Sequence, residues 1–137
     1  MISDKGIQFI EDREGVRLVA YQDVKGIWTI GVGHTGPEVK KGLIWTTEQV
    51  SQALQDDLKE VQECIYKNIK YPISQNQYDA LCSFIFNVGI DAFAKSTILK
   101  KINAGDLAGA GNEFDRWNIP QQIIGRRMKE KALFLTM

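Results

Sequence analysis

The sequence predicts an α+β fold: a small N-terminal β-hairpin lobe, a long connecting helix and a helical C-terminal lobe, with a cleft between the lobes. Three observations predict it. Residues 17–34 read as two strands, RLVAY and IWTIGVGH, around a Lys25-Gly26 turn signal. Val50, Leu54, Leu58, Val61, Ile65 and Ile69 recur at steps of three and four. Every later segment has helical periodicity. A chain of 137 residues can form one domain with a real core. The expected bounds are about 15–45 for the β lobe and about 47–69 for the connecting helix. The helical lobe takes about 74–137 and the N-terminal helix.

Each element has a local reason. Ser3 caps a first helix with Ile7 and Ile10 on its apolar face, and Gly15 stops it. In the second strand Trp28, Ile30 and Val32 share one face, while Thr29, Gly31 and Gly33 share a nearly bare one. Thr46 and Gln49 form a capping-box pair at the start of the long helix. That helix runs about 22 residues, roughly 33 Å at the standard rise, and Pro72 ends the run. Ser74 and Gln77 repeat the capping box before Tyr78, Leu81, Cys82, Ile85 and Phe86, and Gly89 stops that helix. Ser96 caps a short helix through Ile102, and Asp106 caps another reaching about Trp117. The last helix spans about Ile124 to Leu135 and carries Arg126, Arg127, Lys129 and Lys131.

Charge is balanced overall but uneven along the chain. Residues 1–94 carry 9 basic and 13 acidic groups, and residues 95–137 carry 8 and 4. The basic end suits either an anionic polymer or a solvated helix face. The acidic remainder argues against nucleic acid. Two cysteines, Cys64 and Cys82, and the single His34 cannot build a zinc site. Both cysteines lie in apolar helical patterns and read as buried free thiols, which suits folding in the cytosol. MISDKGIQFIEDREG lacks an apolar core for a signal peptide, and no stretch approaches a membrane span.

GVGHTG, residues 31–36, matches the G-x-G-x-x-G phosphate-binding fingerprint. That fingerprint needs a helix opening directly on the glycines. HTGPEVKKG, with Pro37, Gly36 and Gly42, has no helical periodicity, so a dinucleotide site is excluded.

The polar groups around this strand are more informative. Glu14 ends the first helix, Asp23 lies eight intervening residues on at the hairpin turn, and Thr29 follows after five more. Two carboxylates and a hydroxyl are thus placed to line one cleft. Singly, each has a plain alternative: a solvated helix-end charge, a turn aspartate, and a strand threonine. Glu14, however, meets the negative end of the helix dipole, which disfavours its charge and suits a general acid.

EGVRLVAYQDVKGIWTIGVGHT, residues 14–35, closely resembles the signature of phage-type lysozymes, the endolysin muramidases of glycoside hydrolase family 24. The resemblance continues through QNQYDALCSFIFNVG, STILKKINAGD, DRWN and GRRMKEKALFL, and so covers most of the chain. It implies a lysozyme-like fold and cleavage of the β-1,4 bond between N-acetylmuramic acid and N-acetylglucosamine in peptidoglycan. Glu14 is then the proton donor, with Asp23 and Thr29 positioning water. No metal or cofactor is implied. Phe86 and Asn87 correspond to cleft-lining residues, and Arg126 to an arginine that faces the glutamate. The plain reading of Arg126 and Arg127 is a solvated basic helix.

His34 reads as structural, with Asp57 on the long helix as its expected partner. Gly31 and Gly33 continue the bare face beyond Thr29, where side chains would obstruct a sugar or the neighbouring chain. Trp28 and Trp117 are expected in core packing. IPQQIIG after DRWN replaces a longer loop of many members. The resemblance further implies a monomer held in the host cytoplasm until a holin releases it to the periplasm and cell wall, with no membrane insertion. The alternative is a lysozyme-like module that binds peptidoglycan without cutting it.

Overall fold

The computed structural model describes residues 1–119 and 121–136. It contains α1 (Asp4–Glu14), β1 (Arg17–Gln22), β2 (Trp28–Gly31), β3 (His34–Thr35), α2 (Thr47–Asn68) and α3 (Gln75–Val88). These are followed by α4 (Ile90–Ala94), α5 (Thr97–Asn103), α6 (Leu107–Glu113) and α7 (Ile124–Leu135). The chain divides into two compact units: residues 8–59 form a β-containing unit, and residues 1–7 with 60–137 form a helical one. These units do not follow the expected lobe bounds: most of α1, expected with the helical lobe, and the first half of α2 group with the sheet.

In the β unit the three strands are antiparallel in the order β1-β2-β3. Tyr21 pairs with Thr29 and Gln22 with Trp28, while the register slips between Arg17 and Tyr21. The second strand ends earlier than its sequence pattern predicts. Ile30 pairs with His34 and Thr29 with Thr35, so the chain reverses through Gly31, Val32 and Gly33. Gly31 and Gly33 supply the positive φ values of 68° and 65° that this second hairpin requires. The backbone also runs beside β1 again, through Ala20 N–H to Leu43 O at 2.9 Å and Trp45 N–H to Leu18 O at 2.8 Å. A small core of Ala20, Ile30 and Val39, joined by Trp28, Leu43 and Trp45, fills the inner side.

The strand face expected to be bare is covered. Thr29 is 4% exposed and Gly31 is buried. A Cβ on Gly31 would stand 3.2 Å from Trp45 Cζ3 and 3.6 Å from Val50 Cγ1. The missing side chain makes room for the neighbouring chain, not for a sugar. A row of small residues in a sequence signals close approach without saying what approaches.

In the helical unit Ser3 caps α1, accepting from Gly6 N–H at 3.0 Å, and its hydroxyl is bonded to the buried Asp79 of α3. Ser74 and Gln77 complete the capping box of α3, and Ser96 and Asp106 cap α5 and α6 as their positions predict. The helix after Asp106 stops at Glu113 and tightens into a 3-10 turn over Phe114–Arg116. The short α4 and the 3-10 turn Gln121–Ile123 have too few residues to show a periodicity. Within IPQQIIG, Pro120 lies outside the described residues. α3 packs along α7. Around Phe84 stand Phe114 and Trp117, each with its centroid 5.1 Å away, so Trp117 belongs to this packing. Cys64 and Cys82 are free, buried thiols.

Gly31→Ala combines a strained φ with crowding of Trp45. It should destabilise the protein by about 1–3 kcal/mol, read as a fall in thermal midpoint. An unchanged midpoint would show that Trp45 yields without cost.

Candidate active site

The β unit builds a tight polar constellation around the peptide of Ile27. β1 ends at Gln22, and Asp23 opens the turn. Asp23 N–H donates to Ile27 O at 2.9 Å, closing the hairpin. Its Oδ1 accepts from Lys25 N–H at 2.8 Å and from Ile27 N–H at 2.9 Å, the side-chain-to-backbone pattern that makes aspartate a turn former. Among the described residues Oδ2 takes no hydrogen bond. The Thr29 hydroxyl lies 2.9 Å from Ile27 O. A carbonyl cannot donate, so the hydroxyl proton points at it and the threonine oxygen is left as an acceptor. Asp23 and Thr29 are therefore fixed to the same backbone carbonyl.

Glu14 is the last residue of α1 and is half-buried. Gly15 follows in the left-handed region at φ 79°, its N–H bonded to Glu11 O at 2.8 Å, which ends the helix and leads into β1. The glutamate thus stands at the carbonyl end of the helix, as the sequence places it.

His34, on β3, is held from both sides. Nδ1 lies 2.7 Å from Asp57 Oδ2 on α2, and Nε2 lies 2.7 Å from Glu38 Oε1. The Trp45 ring packs at 5.3 Å. Asp57 is the partner that sequence reasoning names. Glu38 went unnoticed, because a four-residue spacing signals contact only on a helix and this segment is a turn. The Glu38 carboxylate folds over Gly36, where a Cβ would stand 2.6 Å from the movable Oε2. Burial opposes charge on His34, but the hydrogen bonds to Asp57 and Glu38 outweigh it and raise the pKa above the ordinary 6.5.

The other expected site residues lie in the helical unit. Phe86 is half-buried and Asn87 exposed, at the C-terminal end of α3. Arg126, in the first turn of α7, donates through Nη2 to Ser83 O at 2.9 Å and through Nε to Glu130 Oε2 at 3.1 Å. The solvated-helix alternative fails for both arginines. The Arg126 side chain is 10% exposed, and Arg127 and Glu130 are 2% and 0%. Burial pushes the Glu130 carboxyl up, against the pull of Arg127, Arg126 and Ser83. Only Lys129 on that helix matches the expected exposure, since Lys131 is half-buried and pairs with Asp115 at 2.8 Å. Among the described residues no cluster of His, Cys, Asp and Glu could hold a metal ion. No described helix is long and apolar enough to cross a membrane.

The family described as Phage lysozyme matches residues 11–130. The chain belongs to the phage lysozyme family. It is 44% identical over 142 residues to an endolysin of Acyrthosiphon pisum secondary endosymbiont phage 1, covering 97% of each chain. It is also 44% identical over 143 residues to the endolysin of Salmonella phage P22, covering 98% of each. A crystal structure of a P22 lysozyme variant superimposes with a TM-score of 0.89 at 43% identity, covering 99% of both chains. The resemblance and the lysozyme-like fold expected from residues 14–35 are borne out. Besides Glu38, sequence reasoning missed the buried Glu130–Arg127 pair of this phage lysozyme. A basic helix with one glutamate gives no sign of which charges turn inward.

Because His34 has a raised folded-state pKa, its ion pairs stabilise fully below about pH 6.5, the unfolded value, and fade as pH rises through the folded one. His34→Gln should therefore lower the thermal midpoint more at pH 5.5 than at pH 9. A deficit independent of pH would contradict a charged imidazole.

Proposed function

We infer that this phage lysozyme is an endolysin that hydrolyses the β-1,4 bond between N-acetylmuramic acid and N-acetylglucosamine in peptidoglycan. Glu14 is the general acid, and Asp23 and Thr29 hold the attacking water. The observation that carries this reading is the shared anchoring of Asp23 and Thr29 on Ile27.

The chemistry follows from what each atom has left to offer. Thr29 spends its proton on Ile27 O and keeps only acceptor lone pairs. Asp23 spends Oδ1 on two amides and keeps Oδ2, which as a carboxylate also only accepts. A water between two acceptors donates both of its hydrogens, so its lone pairs face outward, towards the anomeric carbon of a bound sugar. Glu14 protonates the departing glycosidic oxygen as the bond breaks. The centre passes through an oxocarbenium-like state, and Asp23 takes the water's proton as the new C–O bond forms. This order inverts the anomeric centre.

Phe86, Asn87 and Arg126 are the proposed glycan contacts of the helical unit. Asn87 and Arg126 supply polar groups, and Phe86 an apolar ring face of the kind that packs on sugar rings. The relatives named endolysin support action on the cell wall in phage lysis. The protein acts as a monomer that waits in the host cytoplasm until a holin opens the membrane.

Glu14→Gln tests the assignment. It should cut clearing of outer-membrane-permeabilised Gram-negative cells by about 10²–10⁴-fold with an unchanged thermal midpoint. Full clearing by the variant would remove Glu14 from the role. Thr29→Ser keeps the hydroxyl and should retain activity, whereas Thr29→Val should lose most of it. Equal activities would show that no water depends on Oγ1. A wild type that sediments with peptidoglycan but releases no reducing ends would establish the binding-only alternative.

A further inference from the structure

Glu130 is fully buried between α7 and α3 and divides its two oxygens. Oε2 takes Arg126 Nε at 3.1 Å and the hydroxyl of the buried Ser83. Oε1 lies 2.7 Å from Arg127 Nε, a close ion pair not aligned as a hydrogen bond. The Arg127 guanidinium packs over Phe84 at 4.9 Å and sends Nη2 to Asn87 Oδ1 at 2.7 Å. Three charged side chains are thus removed, wholly or nearly so, from water. A buried ion cluster of this kind is seldom the most stable filling of its space, because apolar residues of similar volume commonly do as well or better. Its form has another consequence. It ends on two groups, Asn87 and Arg126, both proposed to contact the glycan.

We propose that Arg127 and Glu130 are positioning residues: their buried pair sets the Asn87 amide so that it offers its NH₂ to substrate, and holds the Arg126 guanidinium in one orientation. Arginine can only donate, so the Asn87 oxygen must face Arg127 and Nδ2 must face away. Asn87 is therefore presented as a donor. It suits an acceptor on the glycan, such as an N-acetyl carbonyl or a carboxylate. Without Arg127 the exposed amide can flip and offer either end. Glu130 acts one step earlier. It holds Arg127 Nε, so that Nη2 points at Asn87, and holds Arg126 Nε, so that its Nη2 meets Ser83 O. This inference rests on the proposed glycan role of Asn87 and Arg126.

The decisive variant is the double replacement Arg127→Met/Glu130→Leu, which fills the same space without charge. Release of reducing ends from soluble glycan oligomers gives kcat and KM, and a thermal melt gives stability. The expected result is a folded protein with a midpoint below wild type, since Arg126 loses its carboxylate, together with a KM raised about tenfold and a kcat close to wild type, the pattern of lost binding. A wild-type KM in the folded double variant would overturn the proposal. Should the double variant not fold, Arg127→Lys reads the same quantity. A single ammonium cannot reproduce the fork that spans Glu130 and Asn87, so KM should again rise. A wild-type KM there would overturn the proposal equally. Ile102→Val, which trims the helical core elsewhere, should lower the midpoint without moving KM; a matching KM rise would reduce the effect to stability and count against positioning. Asn87→Ala and Arg126→Ala separate the two layers. If neither raises KM, the glycan role itself fails. If they raise it and the double variant does not, only the positioning inference fails.

Discussion

The peptide of Ile27 is the point on which the β unit's first hairpin, and with it the proposed chemistry, depends. Its N–H donates to Asp23 Oδ1, and its carbonyl accepts from both Asp23 N–H and the Thr29 hydroxyl. The turn that reverses the chain after β1 is therefore also the device that fixes the carboxylate and aims the hydroxyl. One set of bonds does both because aspartate stabilises a turn by bonding backbone amides two and four residues on, a job that uses one oxygen. The turn makes no use of the second oxygen, which is what the proposed water site requires. Any change that loosens the turn would loosen the proposed water site with it.

Support for that turn comes from further along the chain. The second hairpin through Gly31 and Gly33 brings β3 alongside β2, and β3 carries His34 to Asp57 and Glu38. Trp45 covers Gly31, and the Leu43–Trp45 segment bonds the other edge of β1. Both outer edges of the β1–β2 hairpin, whose turn holds Asp23 and whose second strand holds Thr29, are thereby restrained. The histidine has no step in the proposed chemistry. It closes an electrostatic clasp, and its charge is useful because it meets two carboxylates at 2.7 Å.

Much of this was legible in the sequence, for reasons that can be named. Helix bounds were readable where a cap and a periodic face coincided, as at Ser74 with Gln77 and at Ser96. Glu14, Asp23 and Thr29 were visible as a spaced set, and the Asp57 partner of His34 was within reach because a lone half-buried histidine needs one. The second hairpin was not. Gly31 and Gly33 looked like an open strand face, since period-two patterning records side-chain size and is silent about φ. Nor could the sequence sort the charges of α7. Arg127 and Glu130 are buried while Lys129 is exposed, and nothing in RRMKEK distinguishes a buried ion pair from a solvated one. That choice is made by what α3 presents, namely Ser83 and Asn87.

The central claim is that water attacks from a site fixed by Asp23 Oδ2 and Thr29 Oγ1, opposite the departing sugar. Proton NMR of a soluble glycan oligomer, recorded during the first minutes of cleavage, reads the anomeric configuration of the new muramic acid reducing end before mutarotation. The account predicts the α anomer first, by inversion of a β-linked bond. Initial release of the β anomer would contradict it, because retention requires two successive displacements or attack from the face the leaving group vacates, and not water positioned opposite.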